Sequence, residues 1–162
     1  MALSTLTARH LETGSLRLAR LGPEHRATVE RFQAEAYART RETLGTQPMP
    51  LDWDYGEILD TCETWIAASG GEPKGLLILR RRSGDLYLES IATLPSAAGN
   101  GHGTAMMSAA FQRARSLGLP EIRLVTNALN PALAWYKRLG FVIEREQDLG
   151  DRTVVHMVAA VS

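Results

Sequence analysis

Three stretches of this sequence carry residues whose types and spacing could do chemistry. The first is Ala98-Gly99-Asn100-Gly101-His102-Gly103-Thr104. Its alternate glycines bare the backbone N–H groups, and a helical pattern follows directly. Bare amides at a helix start, with the partial positive charge found there, make a site for phosphate that needs no basic side chain. Spacing excludes two familiar phosphate loops. A P-loop requires Lys-Ser/Thr after its last glycine, and Thr104-Ala105 follows Gly103. A dinucleotide fingerprint requires a third glycine where Thr104 stands, and its strand normally lies near the N-terminus. The second stretch runs from Asn130 to Phe141 and contains Tyr136. A phenol has a reference pKa of about 10, so it holds a proton to donate at neutral pH. The third, Leu51 to Glu63, carries Asp52, Asp54, Glu57, Asp60 and Glu63, no base, and Trp53 and Tyr55. It could receive a cationic amine by charge and cation–π contact, although a solvated loop explains the same composition.

Such residues must be positioned by regular elements. Met1 to Gly14 has no clear period and reads as a partly ordered leader, which leaves residues 15–162 as a single domain. Leu16 and Leu18 alternate with arginines, which predicts a strand over 15–21. Gly22-Pro23 breaks the chain, and Val29, Phe32 and Ala36 then predict a helix over 25–40. Residues 64–68 and 75–82 predict a hairpin around the turn Ser69-Gly70-Gly71-Glu72, and 86–94 a third strand ended by Pro95. On that strand Glu89 shares a face with Tyr87, Ile91 and Thr93 by simple alternation; a carboxylate among apolar neighbours suits a group that takes up a proton. After the glycine loop, Met107, Ala110, Phe111, Ala114 and Leu117 form an apolar helical stripe that Gly118 and Pro120 end. Residues 121–126 form a strand. Asn130-Pro131 is a good helix start, and Gly140 ends that helix. Strands over 141–145 and 153–161 close the chain around a turn at Gly150-Asp151. The order β-α-(α)-β-β-β-α-β-α-β-β predicts a mixed α/β (α+β) domain with an antiparallel meander, then a right-handed parallel crossover over residues 86–126.

Composition narrows the function classes. The 162 residues carry 18 Lys+Arg and 18 Asp+Glu, a formal net charge of zero, so no basic nucleic-acid surface is expected. Cys62 is the single cysteine, and the four histidines lack ligand spacing, so neither a disulfide nor a metal is expected. The longest apolar run, residues 154–161, is far shorter than the ~20 residues of a membrane span, and no signal-peptide pattern opens the chain. A cytoplasmic protein without membrane contact is the expectation.

On these motifs the sequence resembles the GCN5-related N-acetyltransferase (GNAT) superfamily. Residues 98–103 resemble its Q/R-x-x-G-x-G/A loop, with Ala98 replacing the leading Gln/Arg. Residues 130–141 resemble its N-x-A-x-x-x-Y-x-x-x-G-F segment, at the expected distance. The resemblance covers roughly residues 64–161. It implies a mostly antiparallel, splayed central sheet flanked by helices, and transfer of the acetyl group of acetyl-CoA to a primary amine of a small molecule or peptide. It implies that Ala98, Gly99, Asn100, Gly101, His102, Gly103 and Thr104 bind the cofactor pyrophosphate, and that Ile91, Ala92 and Thr93 present backbone to its pantetheine arm. Tyr136 would also contact the cofactor and act as the acid toward the departing thiolate. Glu89 would act as base. Asn130 could bond the cofactor, although helix capping explains it too. Trp53, Tyr55 and Glu57 fall where the family forms its acceptor pocket. Family members are often dimers through their last strands, so a homodimer is compatible. The same features fit a catalytically inactive CoA-responsive module, or a transferase using a longer acyl-CoA.

Overall fold

The computed structural model describes residues 10–13, 16–44 and 48–162. Eight strands form one sheet: β1 (His10–Thr13), β2 (Leu16–Leu21), β3 (Glu63–Ser69), β4 (Glu72–Arg81), β5 (Leu86–Thr93), β6 (Glu121–Asn127), β7 (Val142–Asp148) and β8 (Thr153–Ala160). Their spatial order is β1-β2-β3-β4-β5-β6-β8-β7, and every neighbouring pair is antiparallel except β5–β6. Among the described residues five α-helices accompany them: α1 (Arg26–Ala36), α2 (Ala38–Leu44), α3 (Tyr55–Thr61), α4 (His102–Ser116) and α5 (Leu133–Arg138).

Strand alternation divides the apolar residues between two layers. On one face Trp65, Ala67, Leu77, Leu79, Leu86, Leu88, Ile122 and Leu124 pack against Met106, Met107 and Ala110 of α4 and against Tyr136 of α5. On the other, Leu76, Ile78 and Ala92 meet Val29 and Phe32 of α1 and Tyr55, Ile58 and Leu59 of α3. The near-continuous apolar run Leu76-Leu77-Ile78-Leu79, wholly buried, follows from β4 being covered on both faces. Arg113 of α4 ties this helix to the sheet: its Nε and Nη2 donate to the buried carboxylate of Glu63 at 2.8 and 2.7 Å.

The expected meander and parallel crossover are present, with several differences. Residues 10–13, expected in the leader, form β1 and pair with β2; residues 1–9 lie outside the described residues. The helix expected over 25–40 breaks at Tyr37, which is turn between α1 and α2. Residues 51–63 hold a helix rather than a solvated loop. The Asp54 side chain accepts from the N–H groups of Gly56 and Glu57, the N-cap that starts α3. The helix expected from Asn130 begins at Leu133. Asn130 instead closes a turn, its Oδ1 accepting from Ala132 N at 2.9 Å.

Candidate functional site

The site lies where the sheet parts. β5 and β6 pair over three rungs, the last being Leu88 with Leu124. β5 then runs on to Thr93 and β6 to Asn127 without further pairing between them. A bulge on β5 coincides with the parting. Ser90 sits opposite Ile78 and Leu88 opposite Leu79, so Glu89 is an extra residue with no rung of its own. A bulge of this kind bends its strand and disturbs the ladder, which favours separation from β6.

The bulge also reassigns faces. Before it, Leu86 and Leu88 point to the α4 layer. After it, Ser90 meets Gln33 of α1 and Ala92 joins the α1–α3 layer, whereas Ile91 packs toward α4 and Thr93 lies near Gly103. Glu89 therefore does not share a face with Ile91 and Thr93, as simple alternation suggested. The extra residue shifts the period by one. Nor is Glu89 among apolar neighbours: Arg80 Nε donates to its Oε1 at 2.8 Å, and its side chain is 16% exposed.

Two clefts open from the parted strands. The larger, about 530 Å³, runs from the glycine loop along Ile91, Ala92 and Thr93 to Asn130, Trp135 and Tyr136. The smaller, about 90 Å³, continues between β5 and β6 and is walled by Glu89, Ser90, Trp53, Met49, Thr126 and Arg152, among others. Tyr37, Thr40, Ile91, Asn130 and Tyr136 line both, so they mark the junction.

The glycine loop has the form of an anion cradle. Gly99 and Gly101 have φ of 83° and 76°, a left-handed backbone that glycine adopts without a Cβ clash. Gly101 is the N-cap of α4 and offers no side-chain bond to the helix. Among the described residues no acceptor takes up the N–H groups of residues 99–104, whereas Ala97, Ala98 and Ala105 donate to Leu94, Pro95 and Gly101. A row of undirected amides at the start of a 15-residue helix is the donor set a pyrophosphate requires. Ala98, Gly99, Gly101, His102 and Gly103 line the large cleft. Asn100 and Thr104 are not in its wall: the Asn100 amide donates to Ala97 O, and Thr104 Oγ1 accepts from Trp135 Nε1 at 3.4 Å.

Tyr136 is placed by α5, its ring packed against Phe141 at 5.9 Å and Trp135 at 5.2 Å between centroids. It is buried in the α4 layer, and no hydrogen bond to its hydroxyl is present among the described residues. Burial pushes its phenol well above the ordinary value, with Tyr37 adding to the rise, so the hydroxyl is protonated at neutral pH. Asn130 turns its other amide atom to the sheet, Nδ2 donating to Thr126 Oγ1 at 2.8 Å.

The three acidic-segment candidates part company. Trp53 lines the small cleft. Tyr55 is buried in the α1–α3 layer and donates its hydroxyl to Pro50 O at 2.6 Å. Glu57 is exposed on α3 and lines neither cleft. Conversely, sequence reasoning passed over Tyr37, Ser90 and Arg152. A signal existed for Tyr37: Val29, Gln33, Tyr37 and Thr40 recur at helical spacing and share the face turned to β5. Ser90 became visible only through the bulge, and Arg152 only through the β7–β8 hairpin.

The sequence model of the acetyltransferase (GNAT) family matches residues 27–141. No curated protein matches the chain. Among solved structures, the PaiA N-acetyltransferase of Thermoplasma acidophilum, determined with coenzyme A, superposes with a TM-score of 0.75 at 15% identity, covering 91% of this chain and 99% of that one. The ribosomal-protein-S18-alanine N-acetyltransferase of Escherichia coli gives 0.69 at 16% identity, over 91% and 94%. A nourseothricin acetyltransferase gives 0.58 at 24% identity, over 62% of this chain and 66% of that one.

Proposed function

Because the chain belongs to the GNAT acetyltransferase family, we propose that this acyltransferase moves the acetyl group of acetyl-CoA onto a primary amine of a small molecule or peptide in the cytoplasm. The observation that carries this reading is the junction of the two clefts. A cleft ending in bare amides meets a small chamber at Tyr136, in the gap between parted parallel strands.

When bound, acetyl-CoA supplies a thioester whose carbonyl carbon is open to an amine. The amides of residues 99–104 hold its diphosphate. The chain's edge at Ile91, Ala92 and Thr93 lies beside the large cleft, with backbone groups that β6 does not engage. These can pair with the amide groups of the pantetheine arm. Trp53 offers an aromatic face to the entering amine in the small cleft. Glu89 takes the proton that the amine must lose, directly or through one water, while Arg80 fixes its carboxylate. Tyr136 gives its hydroxyl proton to the sulfur as the carbon–sulfur bond breaks. One N–C bond forms, one C–S bond breaks, and the two protons balance. Asn130 acts by shaping the turn before α5 and so the placement of Tyr136.

Thermal unfolding with acetyl-CoA, free CoA and a longer acyl-CoA tests the cofactor, because selective binding to the folded state raises Tm. Acetyl-CoA and CoA are expected to raise it. No shift at millimolar concentration refutes the reading, and a larger shift with the longer chain redirects it to a different acyl donor. With an amine substrate in hand, Tyr136→Phe is expected to lower kcat about tenfold or more. Full activity in that variant removes Tyr136 as the acid, and a chain that binds CoA but transfers nothing to any amine is a CoA-responsive module instead.

A further inference from the structure

A chain of buried hydrogen bonds leads from the core to the junction. Gln33 is fully buried, and its Nε2 donates to Ser90 Oγ at 3.1 Å, while Oε1 has no partner among the described residues.

Ser90 Oγ, 2.9 Å from the Tyr37 hydroxyl, thus accepts from Gln33 and has one hydrogen of its own to place. Ser90 is 4% exposed. Had Tyr37 donated to it, that hydrogen would be buried with no acceptor, an arrangement proteins avoid. Ser90 therefore donates to Tyr37, and the Tyr37 hydrogen is left to point away from Ser90. Tyr37 and Tyr136 both line the two clefts at their junction. Desolvation by burial pushes the Tyr37 phenol up, so it stays protonated.

If the transferase reading holds, the thioester must lie at this junction, because only there can a group in the large cleft be reached from the small one. We propose that Tyr37 is a further catalytic residue, whose hydroxyl hydrogen, aimed by the Gln33–Ser90 relay, bonds the carbonyl oxygen of the thioester. No bond of Tyr37 breaks. Its O–H meets the negative charge that grows on that oxygen as the amine attacks. Ser90 and Gln33 are positioning residues. The two phenols divide the work: Tyr136, with no acceptor among the described residues, gives up its proton, and Tyr37, anchored through its oxygen, only donates a bond.

The test needs no amine. Acetyl-CoA carrying ¹³C at the thioester carbonyl is bound to the wild-type protein and to Tyr37→Phe, Ser90→Ala and Tyr136→Phe variants, and the carbonyl stretch is read by isotope-edited infrared spectroscopy. A hydrogen bond lowers that frequency. The wild-type band is expected below that of Tyr37→Phe, with Ser90→Ala between them and Tyr136→Phe unchanged. In turnover, Tyr37→Phe is expected to lower kcat about 100-fold, the effect of losing one such donor, with acetyl-CoA affinity nearly unchanged. The Tyr37→Phe/Ser90→Ala pair should be no slower than Tyr37→Phe alone. An unmoved band in a Tyr37→Phe variant that binds acetyl-CoA overturns the proposal and leaves the transferase reading intact. Should Tyr37→Phe not fold, an unmoved band in Ser90→Ala does the same. Failure of the wild-type protein to bind acetyl-CoA overturns both.

Discussion

Replacing Gly101 by alanine separates the cradle from the rest of the fold. Gly101 has φ 76° and ψ 11°, and a Cβ built there meets nothing within 4 Å. Steric clash with neighbours therefore contributes nothing, and the whole cost is left-handed backbone strain, about 1 kcal/mol for a non-glycine residue. In a domain of this size that lowers Tm by about 3 °C. The chain can relieve the strain only by turning the Gly101 peptide, which swings an amide out of the cradle. Losing one N–H bond to a charged phosphate costs about 1.5 kcal/mol, which is about tenfold in Kd for CoA. Gly103→Ala is the control. Gly103 does not have positive φ, and its added Cβ would lie 3.5 Å from Trp135, an ordinary contact. Its Tm should be unchanged or slightly raised, since alanine is the better helix former. Calorimetric titration with CoA and thermal scans of both variants give the answer. A Gly101→Ala protein with wild-type Tm and wild-type CoA affinity refutes the cradle argument.

Glu89→Gln should lower kcat/KM about 100-fold. Activity within a few-fold of wild type assigns the proton to another group. Glu63→Ala leaves Arg113, whose side chain is 14% exposed, without the carboxylate that accepts from its Nε and Nη2, and should cost about 3 kcal/mol in urea unfolding. A loss below about 0.5 kcal/mol, the range of ordinary surface changes, shows that water replaces the pair. Asp85 is buried between Arg82 and Arg123, and the Arg82 bond, opposed by burial and aided by Arg123, holds its carboxyl below the usual range. A depressed folded-state pKa gives stability that is complete above the unfolded value, about 3.9, and is lost as pH falls below it. Asp85→Asn should therefore flatten the acid side of the stability curve below about pH 4, and an unchanged acid midpoint would contradict this.

Much of this molecule was legible along the chain. The hairpin around Gly70-Gly71 was readable because both glycines take positive φ, 61° and 82°, which their dipeptide announces. The glycine loop and α4 were readable because the helix stripe and the alternate glycines are local patterns. Boundaries failed where a side chain chose between two local bonds. Asn130 makes a turn instead of capping α5, and Asp54 caps a helix inside a stretch that composition marked as loop.

What the sequence by itself determined is therefore local: the glycine-rich backbone with bare amides at residues 99–104, the position of Tyr136 on its helix, and the order of elements. What only the tertiary structure decided is which residues meet. The one-residue bulge at Glu89 sets that residue against Arg80, turns Ser90 to α1 and sends Ile91 to the opposite face. Strand alternation has a period of two, so one extra residue inverts every face beyond it, and a bulge depends on pairing with a partner strand rather than on the residues within one. The junction at Tyr37 and Tyr136 has the same origin. It brings together Tyr37, which follows α1, and Tyr136 of α5, 99 residues apart in sequence, across a gap that exists because β5 and β6 cease to pair after three rungs.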